Sequence, residues 1–136
     1  MPLQVNLCIP TQPLANLTAI YVQLPSAAGS MGILPSHAPL RCELAPGVVV
    51  CRLTDETERV FSVSSGLAVI RNNTVTILAD TAEDAQNIDT SRAQAARERA
   101  LRRLGGDEAG MIDRVRAEAA LRRALARLDA VRSVKR

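Results

Sequence analysis

Side chains able to do nucleophilic or acid–base chemistry are scarce in this sequence. The only histidine is His37, and the three cysteines, Cys8, Cys42 and Cys51, are widely spaced. A Cys-His or Ser-His-Asp arrangement would have to recruit His37. That residue sits between Pro35 and Pro39, in a rigid turn without a G-x-S-x-G elbow. Packing or a subunit contact suits it better than catalysis, and no catalytic residue is expected. No C-x-x-C pair offers a zinc or redox centre. No cluster of His, Cys and carboxylates suggests a metal, and no G-x-x-x-x-G-K-[ST] loop is present to cradle phosphates. The cysteines read as buried, reduced thiols of a cytosolic protein.

Arginine is what the chain has in abundance, and it is unevenly placed. Residues 1–88 carry four arginines against seven acids, a net −3; residues 89–136 carry thirteen Lys or Arg against seven acids, a net +6. Such a split implies that the second part meets something acidic. Nucleic acid is a poor candidate: residues 89–136 contain no aromatic side chain to stack on bases, and acids (Glu98, Asp113, Glu118, Asp129) are interspersed among the arginines. No apolar run approaches the roughly 20 residues that span a bilayer. The N-terminus has neither a basic stretch nor a long apolar one, so no signal peptide is expected.

The elements that must position these charges fall into two kinds. Leu3, Val5, Leu7 and Ile9 alternate with polar neighbours, and Ile20, Val22 and Leu24 do the same. Val48–Leu53 is apolar apart from Arg52. Phe61 and Val63 flank Ser62, and Leu67–Ile70 and Val75–Ala79 are separated by Asn72-Asn73, a pair suited to the positive φ of a tight hairpin. Pro46-Gly47 and Asp55–Glu58 read as turns. With one Tyr, one Phe and no Trp, the core must come from Val, Ile, Leu and Ala. Short strands at this spacing predict an antiparallel sandwich or barrel over residues 1–86.

From residue 87 the pattern changes to Ala, Arg and Leu. Asp89 fits a helix N-cap. Ala93, Arg97, Ala100 and Leu104 follow at helical spacing, widened by Ala96 and Leu101, and Gly105-Gly106 ends the helix. A second helix begins near Ile112 or Asp113, with Ala117, Leu121, Ala124, Leu128 and Val131 as its seam. The short Gly105–Gly110 connection makes the pair an antiparallel hairpin over 87–136. The predicted class is therefore α+β: an antiparallel β-sandwich followed by a two-helix hairpin. Alanine seams bury little area per residue, so the hairpin is expected to be strongly helical but weakly held.

Three segments, Gly32-Ile33-Leu34-Pro35-Ser36-His37-Ala38-Pro39-Leu40, Val75–Ala82 and Ile88-Asp89-Thr90-Ser91-Arg92-Ala93, occur in an order and at distances that resemble the epsilon subunit of bacterial F-type ATP synthases. The resemblance covers about residues 3–131 and suits a divergent member. It implies a rotor subunit of the proton-translocating synthase, peripheral on the cytoplasmic face of the inner membrane and touching the membrane only through the complex. Its partners would be gamma, the c-ring, and the alpha and beta subunits. The sandwich would dock on gamma and the c-ring, and the helices would inhibit ATP hydrolysis when extended. A free-standing helical adaptor outside the synthase, binding protein or nucleic acid, is the alternative.

The resemblance also implies site residues. Arg114, Arg116, Arg122, Arg123 and Arg127 map onto the inhibitory contact with the catalytic subunits; Arg116, Arg123 and Arg127 make one stripe beside the seam. The I/L-D-x-x-R-A motif of family members that bind ATP is matched by Ile88, Asp89, Arg92 and Ala93, and further positions map onto Glu83, Arg99, Arg123 and Arg127. No cofactor is required in this reading, and ATP is a regulatory ligand of the folded hairpin. Docking on gamma and the c-ring maps onto Ser30, Met31 and His37. Here Ser30 stands where the family usually has an acid, and Ser64-Ser65-Gly66 replaces its Ser-Gly-Gly.

Overall fold

A computed structural model describes residues 1–105 and 111–134, apart from the side chains of 111–113 and 133–134. Nine strands come first: β1 (Leu3–Ile9), β2 (Gln12–Ser26), β3 (Gly29–Ile33), β4 (Leu40–Leu44), β5 (Gly47–Leu53), β6 (Glu58–Val63), β7 (Gly66–Arg71), β8 (Thr74–Ala79) and β9 (Ala82–Asp84). A 3-10 turn (Ala85–Asn87) leads to α1 (Thr90–Leu104) and α2 (Met111–Val134). The strands run β1-β8-β7-β4-β2-β5-β6-β9, with β3 beside β2 and β1 also paired to β2. All pairings are antiparallel except β1 with β8.

The long β2 joins the layers. Its first half pairs with β1, and its second half pairs with β3 and β5. The Ile20-Val22-Leu24 alternation does not hold throughout. Ala19, Val22 and Leu24 are buried while Ile20 is only half-buried. An irregularity in the pairing with β5 between Ala19 and Tyr21 shifts the inward parity by one residue. Leu3, Val5 and Leu7 of β1 point inward as their alternation requires, and Ile9 lies beyond a second irregularity at Leu7/Cys8. The core is aliphatic: these residues join Ile33, Leu44, Val49, Ile70, Val75 and Ile77 around the single Phe61.

Two turns show how local chemistry sets register. Asn72 and Asn73 take φ of 52° and 58°, the left-handed geometry expected of a tight hairpin. Asn73 then ties this turn to the Pro35–Pro39 segment, its Oδ1 accepting from the Ser36 backbone N–H at 2.6 Å. Gly66, at φ +150°, opens β7 where a Cβ would lie 2.1 Å from the Leu78 carbonyl oxygen, so no other residue fits without moving β8.

β6 explains how the hairpin attaches. Val60, Phe61, Ser62 and Val63 are all buried, although alternation predicts one wet face. Phe61 and Val63 enter the sandwich core. Val60 faces the opposite way, into a second small cluster with Ala85 and Ala130 of α2, flanked by Val48, Val50 and Ile88. The hairpin thus lies folded on the outer face of β5 and β6.

Within the hairpin, Asp89 caps α1 by accepting from the Arg92 backbone N–H at 3.2 Å. Gly105 closes the helix, its N–H donating to Leu101 O at 3.1 Å. The rest of the predicted connection, from Gly106 to Gly110, lies outside the described residues. Ala93 and Ala100 of α1 and Ala117 and Ala124 of α2 are buried, as the seams predict. Leu101 does not widen the seam: it is 44% exposed. Ala126 and Ala130 form a second buried stripe on α2, absent from the predicted seam; Ala130 packs with Val60 and Ala85 of the sandwich side, and Ala126 lines a hollow with Pro46 and Gly47.

Burial raises the Cys51 thiol from its ordinary 9.0 to about 12, against a smaller opposing pull from Arg59. Because the folded state holds this proton more tightly, its contribution to stability is intact below pH 9 and is lost as pH climbs toward 12. Iodoacetamide at pH 8 should therefore label half-buried Cys8 and leave Cys51 unmodified until the chain is unfolded. Mass spectrometry after timed quenching checks this; labelling of Cys51 as fast as Cys8 would contradict the packing described.

Candidate functional site

Where α1 leaves the sandwich, a cleft of about 270 Å³ opens between β9, the 3-10 turn and the hairpin. Glu83, Asn87, Ile88, Asp89, Arg92, Ala93, Ala96, Arg99 and Arg127 line it. Seven of the eight residues mapped onto a nucleotide site are in that lining. Arg123 is in an adjoining depression with Ser62, Ser64 and Thr81, and Glu83 and Arg127 form the wall between the two.

Each element contributes for a local reason. The Asp89 cap turns the chain into α1, so Arg92 and Arg99, seven residues apart, project from one face. Arg123 and Arg127, four apart on α2, face the same region because the early turns of α1 pack on the late turns of α2. Ala93 and Ala96 have side chains too short to fill the floor. Ile88 bridges two environments: it lines the cleft and also packs against the Val60–Ala85–Ala130 cluster.

One ion pair crosses the cleft. Arg127 donates through Nε to Glu83 Oε1 at 2.9 Å, joining α2 to β9. Both side chains are partly exposed, at 34% and 42%, so the bond adds no more than about 1 kcal/mol. A stiffer pair stands behind it: Arg59 donates to Asp84 at 2.7 Å and lies over the Phe61 ring, while Asp84 also caps the 3-10 turn by accepting from Gln86 N–H. Glu83 is therefore offered by a strand end anchored on β6. Chemically the cleft presents guanidiniums suited to phosphate oxygens, a carboxylate at the start of α1, and an apolar patch from Ile88 and Ala93.

The five arginines mapped onto the inhibitory contact do not form one patch in this arrangement. Arg127 is engaged by Glu83 and Arg123 faces the adjoining depression. Arg122 lies in a different hollow, and Arg114 and Arg116 are exposed and line none of these spaces. On β3, Ser30 is exposed with its Oγ accepting from Gln23 Nε2 at 2.7 Å, and it lines a hollow that also includes Val60, Gln86 and Asp129 of α2. Met31 packs partly against the main core. His37 is half-buried, Nδ1 donating to the Ala38 carbonyl at 2.7 Å. Gly32 between them lets the Tyr21 ring lie flat across β3; a Cβ there would be 2.6 Å from the Tyr21 hydroxyl.

Sequence reasoning missed Asn87 in the cleft, and Ala85, Ala126 and Ala130 in the hairpin's seat. The signal for the last two was present: they are four apart and lie off the seam of Ala117, Leu121, Ala124, Leu128 and Val131.

Comparison with known proteins finds relatives of both parts of the chain. The family described as "ATP synthase, Delta/Epsilon chain, beta-sandwich domain" matches residues 2–85, and its "long alpha-helix domain" matches residues 86–132. The ATP synthase epsilon chain of Lawsonia intracellularis is 42% identical over 102 residues, covering 75% of this chain and 76% of that protein. The epsilon chain of Moorella thermoacetica is 43% identical over the same shares. Among solved structures, a chain of the Euglena gracilis mitochondrial ATP synthase superposes with a TM-score of 0.83 at 19% identity, covering 99% of this chain and 82% of that one, which shows a shared fold.

Ala130 is fully buried at the point where α2 meets β6. Ala130→Leu adds three heavy atoms to a space with no room for them, a cost of about 1–3 kcal/mol. The hairpin should lift while the sandwich stays folded. Limited trypsin digestion should then cut within α1 and α2 several-fold faster than in the parent chain, with residues 1–86 left intact. Unchanged cutting would mean that Ala130 does not set the seat.

Proposed function

The chain belongs to the delta/epsilon-chain family of ATP synthase subunits, and we propose that it works as the epsilon subunit of a bacterial F-type synthase, a non-catalytic part of the rotor. In this reading the sandwich couples gamma to the c-ring through the surface residues Ser30, Met31 and His37. The subunit sits peripherally on the cytoplasmic face of the inner membrane. The hairpin is a brake on ATP hydrolysis that works by being withheld or released. A free-standing adaptor is set aside, because it would leave a family match over the whole of residues 2–132 without a reason.

The observation that carries the brake is the engagement of Arg127 by Glu83 while α2 lies on β6. Folded, the hairpin keeps Arg127 against the sandwich and Arg123 beside it. Extended, it offers Arg114, Arg116, Arg122, Arg123 and Arg127 to the acidic surfaces of the alpha and beta subunits. The same two arginines cannot serve both partners, so anything that stabilises the folded hairpin reduces inhibition.

ATP is the ligand that suits the cleft as a regulator. Arg92, Arg99, Arg127 and the neighbouring Arg123 would hold the triphosphate, and Asp89, Ile88 and Ala93 would meet the base. Because the lining comes from β9, α1 and α2 together, nucleotide would bind the folded form and not the extended one, which stabilises the former by mass action. ATP is here a bound signal and is not consumed.

Two measurements test this reading. Truncation after Ile88 should raise ATP hydrolysis by the reconstituted complex several-fold, and an unchanged rate would remove the brake from the account. In the isolated chain, ATP should raise the thermal midpoint more than tripolyphosphate, which lacks the base. Arg92→Ala should erase that difference; a difference that survives would place the nucleotide elsewhere.

A further inference from the structure

A second hollow, about 500 Å³ in volume, lies on the other side of the helical seam. It shares no lining residue with the nucleotide cleft or its neighbour. Arg97 of α1 and Arg122 and Arg132 of α2 converge on it, and the Pro46–Gly47 turn between β4 and β5 closes it from the sandwich side. Leu125, Ala126 and Leu128 supply an apolar wall.

The charges are what need explaining. Three guanidiniums meet one carboxylate, Asp129, in this lining. The ion pairs that the described residues show, Arg59 with Asp84 and Arg127 with Glu83, use none of the three arginines. Arg97 is exposed on α1 and lines the same hollow as Arg122 and Arg132, so folding the hairpin brings a cation of α1 to two of α2. Like charges gathered around one hollow repel, and an anion bound among them relieves that repulsion.

We propose that this hollow is a second anion site, specific for a phosphate-bearing polyanion, and that its occupation holds the hairpin down from the side opposite the nucleotide cleft. Planar guanidiniums from two helices match the oxygens of linked phosphates. The leucines at its edge exclude water from one side of the bound anion and strengthen each contact. The site is complete only when α1, α2 and the Pro46–Gly47 turn are together, so the anion binds the folded form alone. It does not depend on the nucleotide reading, since no residue is common to both.

Tripolyphosphate is the probe, used on the full chain and on two variants, Arg97→Ala/Arg132→Ala and Arg92→Ala. The substituted side chains are exposed, so the fold is retained. At saturation the probe should raise the thermal midpoint on the order of 5 °C in the parent chain, with most of that rise kept in Arg92→Ala and most of it lost in the double variant, which retains only the nucleotide cleft. Co-sedimentation of the same proteins with phosphatidylglycerol vesicles distinguishes a lipid phosphate from a free one. Vesicle binding lost in the double variant, without a tripolyphosphate effect, assigns the site to a headgroup. Two results overturn the proposal: no effect of either probe on the parent chain, or an effect lost in Arg92→Ala and kept in the double variant. The second would mean that polyanions enter only the nucleotide cleft. The ATP-minus-tripolyphosphate difference reports on that cleft separately.

Discussion

The contact of the Ala130 methyl with Val60 and Ala85 is the interaction on which the rest of this structure turns. It joins two parts whose own cohesion is very different. The sandwich is closed by β2 pairing across both layers and by an aliphatic core of Leu, Ile and Val. The hairpin meets it mainly through methyl groups and one partly exposed ion pair. A buried CH₂ is worth about 0.8 kcal/mol, and an exposed pair about 1 kcal/mol or less. A few such terms hold the helices down without making their folding inseparable from that of the sandwich.

That weak seat has consequences for everything around it. Ile88 belongs both to the seat and to the cleft, so a ligand in the cleft and the packing under α2 act on the same residue. Arg127 reaches Glu83 only while α2 lies flat, and the second arginine hollow closes only against Pro46–Gly47. The arginines of the hairpin are therefore divided over two flanks, each lined in part by the sandwich. The proposed brake would be set by small differences in free energy between the folded and released hairpin.

Much of this was legible in the sequence because the signals were periodic or stereochemical. Alternation marked β1, the Asn72-Asn73 pair marked a hairpin through its positive φ, and Asp89 marked the start of α1 by capping it. The I-D-x-x-R-A run, with Glu83, Arg99 and Arg127, marked residues that come to line one cleft. What was not legible came from tertiary contacts. No local pattern announces that a break in register moves Ile20 off the core face, or that Ser62 is covered by a helix far along the chain. Ala126 and Ala130 were visible as alanines, but an alanine-rich helix has several candidate stripes. Only the sheet beneath it decides which of them is buried.

A releasable hairpin must open more easily than the sandwich unfolds. Native-state hydrogen exchange on the isolated chain measures this directly, residue by residue. Amides of α1 and α2 should exchange through an opening that costs several kcal/mol less than the opening of β1, β2, β7 and β8. Protection of the helices equal to that of the sandwich core, with one common dependence on denaturant, would contradict it: the chain would then be a single cooperative unit without a releasable hairpin.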